Sequence, residues 1–135
     1  MDDISYRLIN KVNEMGLNLE FVEMKRSGIY LAKVKTIFIN CKLLESGNAA
    51  FEISHELAHC LKEHDNYYDY YTATDSSRNK LEREANQVAI EILIEIYLHE
   101  FDIDKEQFNV VRFMEYFKIS NRLEYYVEQS LLNYI

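Results

Sequence analysis

Apolar positions recur at helical spacing near the start of the chain. Ile4, Leu8, Ile9, Val12 and Met15 form one stripe, which predicts a helix over 4–15 that stops at Gly16. The period then shortens to two. Leu17, Leu19 and Phe21, with Val22, alternate with Asn18, Glu20 and Glu23, which predicts a strand over 17–24. Ser27-Gly28 reads as a turn, and 29–32 and 36–40 read as two further short strands around Lys33-Val34-Lys35. These segments predict a small antiparallel sheet of about three strands.

Helical spacing returns after Gly47-Asn48, where Asn48 is a candidate N-cap. The predicted helix runs to about Glu63 and carries two stripes. Ala50, Ile53, Leu57 and Leu61 should face the core, while Phe51, His55 and His59 lie beside them. Residues 65–80 have loop chemistry. A second helix, about 79–98, has Leu81, Ala85, Val88, Ala89, Ile92, Leu93 and Ile96 as apolar positions. Two more helices, about 105–117 and 121–133, flank Lys118-Ile119-Ser120, with Ser120 as a candidate cap. The whole predicts one mainly helical α+β domain, with a core over 1–100, a helical pair over 101–135, and the small sheet packed on the helix that follows Asn48.

Composition narrows the function classes. With 135 residues, 48% of them apolar, the chain can bury a core of its own. A net charge of −8 argues against a direct grip on nucleic-acid phosphates or on an anionic membrane. The start, Met1-Asp2-Asp3-Ile4-Ser5, lacks the basic and apolar regions of a signal peptide, and no apolar run is long enough to span a bilayer. Cys41 and Cys60 form neither a disulfide framework nor a CxxC pair, so a cytoplasmic location is expected. Proline is absent, which favours long helices.

The chemistry is concentrated in His55-Glu56-Leu57-Ala58-His59, an HExxH motif. On a helix it sets two imidazoles one turn apart with a carboxylate offset beside them, the arrangement a zinc hydrolase uses for two ligands and a base. A catalytic zinc takes three protein ligands. The next helix offers a third in Glu82, with Glu84 and Glu91 as competitors. Glu84 lies about 200° round the helix from Glu82, so at most one of the two can face the metal. Asn79-Lys80-Leu81-Glu82 also fits a capping box, in which Glu82 would only cap its own helix. Asn86, one turn after Glu82, could accept a hydrogen bond from a ligand histidine, and Ala85 would allow close approach of the two helices. Cys60, next to His59, reads as a small core residue, and His99 as a surface one.

The pair His55-Glu56-Leu57-Ala58-His59 and Glu82-Arg83-Glu84-Ala85-Asn86 resembles the ImmA/IrrE family of small gluzincin-like zinc peptidases. The likeness covers about residues 30–130, including the ending Tyr116-Phe117-Lys118-Ile119-Ser120-Asn121-Arg122-Leu123. It implies a minimal zincin-like fold, Zn²⁺ held by His55, His59 and Glu82, and Glu56 as the general base. It also implies a protein substrate, a helix-turn-helix repressor on a separate chain, whose cleavage or inactivation derepresses phage, mobile-element or stress genes. The chain departs from its relatives where a Leu-Met-Pro-like ending is replaced by Ile92-Leu93-Ile94-Glu95.

An oxyanion donor is still required. His64 and the tyrosines Tyr67, Tyr68, Tyr70 and Tyr71 are candidates, and the 36–40 segment is a candidate sheet edge for holding an extended peptide. The last predicted helix sets Arg122 against Glu124 and Glu128, too acidic for a DNA-reading helix. Two readings from other classes stand beside the peptidase: a non-proteolytic anti-repressor that only binds its partner, and a toxin- or antitoxin-like interaction module with structural zinc. An open three-ligand site favours the enzyme, because structural zinc is closed by a fourth protein ligand.

Overall fold

The structure, a computed structural model, describes residues 4–62 and 75–133. Its elements in chain order are α1 (Tyr6–Glu14), β1 (Asn18–Val22), β2 (Gly28–Leu31), β3 (Thr36–Asn40), α2 (Leu43–Ser46), α3 (Ala49–Leu61), α4 (Asp75–Phe101), α5 (Val110–Phe117) and α6 (Glu124–Asn133), with short 3-10 turns at Ala32–Val34, Lys105–Gln107 and Asn121–Leu123. The expected class holds: a mainly helical α+β fold with a three-stranded sheet.

The sheet is mixed, not antiparallel. Its order is β1-β3-β2; β2 runs antiparallel to β3, and β1 runs parallel to it. The reason lies in β3. Ile37 and Ile39 are fully buried and Thr36 and Asn40 nearly so, which suits a central strand. The Asn40 side chain then holds the connection between β1 and β2 across the end of β3. Its Nδ2 donates to Met24 O at 2.8 Å and Arg26 O at 3.1 Å, and the Asn40 backbone N–H donates to Ser27 O at 2.9 Å. Two strands of opposite direction are thus delivered to the two sides of β3. Segment 36–40 is therefore paired on both sides and offers no free edge; β2 takes that position.

Alternation in β1 works as the pattern predicts. Leu19 pairs with Ile37 and Phe21 with Ile39, while Tyr30 pairs with Ile37 from the other side. These side chains form the first core with Leu8 and Val12 of α1, Ile53 and Leu57 of α3, and Ile92 and Ile96 of α4. Leu61 and Met15, expected in apolar stripes, are exposed at the ends of their helices.

Helix α4 is apolar on more than one face because it is packed from more than one side. Ile92 and Ile96 belong to the sheet core. Ile90, Leu93, Ile94 and Leu98 face a second core built from Phe113, Met114 and Phe117 of α5, Ile119, Leu123, and Val127 of α6. A third contact consists of Ala58, Ala85 and Ala89, all fully buried. With these methyl groups at the contact, flanked by Phe51 and Val88, α3 and α4 pack closely, which brings the side chains of His55, His59 and Glu82 into reach of each other.

The C-terminal helices are shorter than the periodicity predicts. Asp104 and Gln107 form a capping box around a 3-10 turn, and the Asn109 side chain accepts from Arg112 N at 3.0 Å to start α5. Ser120 makes no side-chain cap, and α6 follows the 3-10 turn at Asn121–Leu123. Among the described residues, no helix is long and apolar enough to cross a membrane.

Candidate metal and active site

Helix α3 places His55, Glu56 and His59 on its inner side, and all three are buried. Asn48 precedes this helix with helical backbone angles and makes no side-chain cap. Helix α4 already runs at Asp75, so Asn79 lies inside it and Glu82 stands well beyond the first turn. The capping-box role for Glu82 therefore falls away. Instead its carboxylate meets both histidines: Oε2 lies 3.0 Å from His55 Nε2, and Oε1 lies 3.4 Å from His59 Nε2. The two Nε2 atoms are 3.2 Å apart, with the rings edge to face.

Two imidazole nitrogens and a carboxylate thus converge on one point. They form a donor group able to hold a metal ion, within 4.8 Å of one another and largely buried. Two Nε2 atoms at this separation cannot both carry a proton between them, whereas a single cation would satisfy all three donors together. The competitors do not share the position. Glu91 is exposed and accepts from Gln87 at 3.4 Å, and Glu84 does not line the cleft.

The electrostatics carry the same signature. Burial on its own lowers the pKa of His55, yet the bond to Glu82 and the charges of Glu56, Glu82 and Glu52 raise it to about 9. Glu56 is pushed well above the usual carboxylate range by burial, then by a hydrogen bond shared with Glu52 and by the Glu52 charge. A bound cation opposes both shifts, since it favours the neutral imidazole and the ionised carboxylate.

These groups line a cleft of about 390 Å³. One wall is Arg26 to Tyr30, which includes the start of edge strand β2; the floor is Phe51, Glu52, His55, Glu56 and His59 of α3; Glu82, Asn86 and Arg122 complete it. Asn86 reaches the cleft but makes no hydrogen bond to His55, whose Nδ1 is buried without an acceptor among the described residues. His64, Tyr67, Tyr68, Tyr70 and Tyr71 lie outside the described residues. Three charged cleft residues had no functional role in the sequence: Arg26, Glu52 and Arg122. Glu52 was legible, since it stands four residues before Glu56 and so one helical turn away. Arg26 and Arg122 had no such signal, because each reaches the cleft only through tertiary packing.

Comparison with known proteins gives one match. Residues 12–125 match Peptidase_M78, described as the IrrE N-terminal-like domain. Neither the search of curated proteins nor that of solved structures found a match. The family match spans both segments that carry the candidate metal donors and most of the chain, which therefore belongs to the Peptidase_M78 family of metallopeptidases.

Proposed function

We propose that this protein is a zinc-dependent endopeptidase. The observation that carries the reading is the convergence of His55, His59 and Glu82 beside the buried Glu56. Ligands about 2.0–2.1 Å from a tetrahedral zinc stand about 3.3 Å from one another. The two Nε2 atoms, 3.2 Å apart, fit that spacing, and one oxygen of the Glu82 carboxylate faces each ring at a similar distance, Oε2 at 3.0 Å from His55 and Oε1 at 3.4 Å from His59. Nitrogen and carboxylate donors in this combination also suit zinc by type, and three ligands leave a position open. When bound, the ion would supply Lewis-acid polarisation of the scissile carbonyl and acidify the attacking water.

The remaining roles belong to the chain. Glu56 accepts a proton from the attacking water and hands it to the leaving amine. Glu52, bonded to Glu56, orients that carboxylate in the cleft floor. The outer edge of β2 runs along the cleft and suits an extended peptide added as a further strand, which would lay a main-chain carbonyl over the site.

The substrate we infer is a protein, a helix-turn-helix transcriptional repressor in the cytoplasm. Support for this part is the likeness to ImmA/IrrE proteins together with the chain's charge of −8, which disfavours direct nucleic-acid binding. The test is Glu56→Gln. Metal content should be retained while cleavage of the partner is lost. A variant that still derepresses its target genes at full strength would replace proteolysis with the anti-repressor reading, in which binding alone suffices. The same variant, used as bait, should capture the partner.

A further inference from the structure

Arg122 enters the cleft from the C-terminal part of the chain. Its backbone belongs to the 3-10 turn Asn121–Leu123, anchored by the buried side chains of Ile119 and Leu123 in the second core. A hydrogen bond from Gln87 Nε2 to Ser130 Oγ ties α4 to α6 just beyond it. The base of the side chain is therefore held firmly, while the residue itself is exposed and lines the cleft.

Every other charged group there has a partner. Glu82 faces the two histidines, and Glu52 and Glu56 share a hydrogen bond. Arg26 is engaged within the fold. Arg122 makes no hydrogen bond or ion pair among the described residues. A guanidinium cannot lose its proton in a protein, so this wall of the cleft is permanently positive. Its planar fork matches an oxyanion held by two parallel bonds, and the one a peptide supplies is a carboxylate. Three carboxylates already line the cleft, and its other guanidinium, Arg26, is engaged within the fold, so Arg122 is the lining residue best placed to receive an acidic substrate group.

We propose that Arg122 is a specificity-determining residue that receives a substrate carboxylate beside the metal site. This rests on the reading of the cleft as a peptide-binding site. The carboxylate has two possible sources, an Asp or Glu side chain near the scissile bond or the terminus of the peptide, and they share the same recognition chemistry.

The experiment uses zinc-loaded Glu56→Gln protein and an array of extended peptides in matched pairs, Glu against Gln at each position, with free or amidated C-termini. Glu56→Gln should bind the acidic member of a pair more tightly at one fixed position. Adding Arg122→Ala should weaken the acidic peptides about tenfold, with a much smaller change for the Gln partners. Arg122→Glu should turn the preference towards Lys at that position. Preference that survives amidation identifies a side-chain carboxylate; preference abolished by it identifies the terminus. Equal binding of Glu and Gln peptides, an unchanged preference in the Arg122→Ala protein, or no peptide binding at all would overturn the proposal. Cutting of the same peptides by protein that retains Glu56 is scored separately. Binding without cutting thus removes the peptidase reading while the role of Arg122 stays measurable.

Discussion

Gly28 of β2 lies directly against Glu52 of α3. A Cβ at position 28 would stand 2.9 Å from Glu52 Cγ, 3.0 Å from its Oε2 and 3.0 Å from Ile39 Cδ1. The missing side chain is what lets the helix seat Glu52 against the sheet, where it can bond Glu56. Gly28→Ala should therefore displace the Glu52 carboxylate and loosen its hold on Glu56. The expected outcome is reduced peptidase activity with metal content retained, and a stability loss of about 1–2 kcal/mol from overpacking. Urea unfolding and metal analysis of the purified variant check both parts.

Glu82→Ala should weaken metal binding by more than about a hundredfold, beyond the usual effect of losing an outer-sphere hydrogen bond. Glu84→Ala should leave affinity close to that of the unmutated protein, because Glu84 does not reach the cleft. Competition with a chromogenic chelator measures both. Equal losses in the two variants would remove Glu82 from the ligand set.

Metal binding should be strongly pH-dependent. The ion needs a neutral His55, while the metal-free fold raises that group from 6.5 to about 9. Affinity should fall about tenfold for each pH unit below about 9, with about one proton released from His55 per ion bound. Calorimetry in buffers of differing ionisation enthalpy counts those protons. The stability of the metal-free protein should run the other way. A pKa raised on folding adds stability that is fully present below about 6.5 and is lost as pH rises through about 9. Thermal unfolding across that window, with chelator present, tests the sign.

Ser54 is fully buried next to His55, and its hydroxyl has no hydrogen-bond partner among the described residues. Ser54→Ala should thus be neutral or stabilising, by up to about 1 kcal/mol, because it removes an unsatisfied polar group from the core. A clear loss of stability would mean that the hydroxyl is bonded in solution.

Phe113→Ala should cost about 3–5 kcal/mol, since the ring is fully buried between α5 and α4. The effect should reach the cleft, because the same core anchors Leu123 beside Arg122. Chemical denaturation gives the magnitude, and the acidic-peptide preference reports the coupling.

Local pattern determined a good part of this protein. A three-to-four residue period placed α1, α3 and α4, and a period of two placed β1, because which face is buried follows directly from backbone geometry. The HExxH spacing set His55 and His59 one turn apart before any packing was known. Ala85 likewise announced a close helix contact, now seen with Ala58 and Ala89. Other features depend on groups distant in the chain. Strand β3 became the centre of a mixed sheet because Asn40 carries the preceding connection across its end. Glu82 meets the histidines, and Glu84 does not, because packing against two cores at once fixes the rotation of α4, while its early start frees Glu82 from a capping role. Arg122 reads as one charge among acidic neighbours along the chain, and only the packing of Leu123 turns it towards the cleft. Periodicity says which residues are inside, but it is silent about which distant surfaces they meet, and the charged wall of this cleft is made of such meetings.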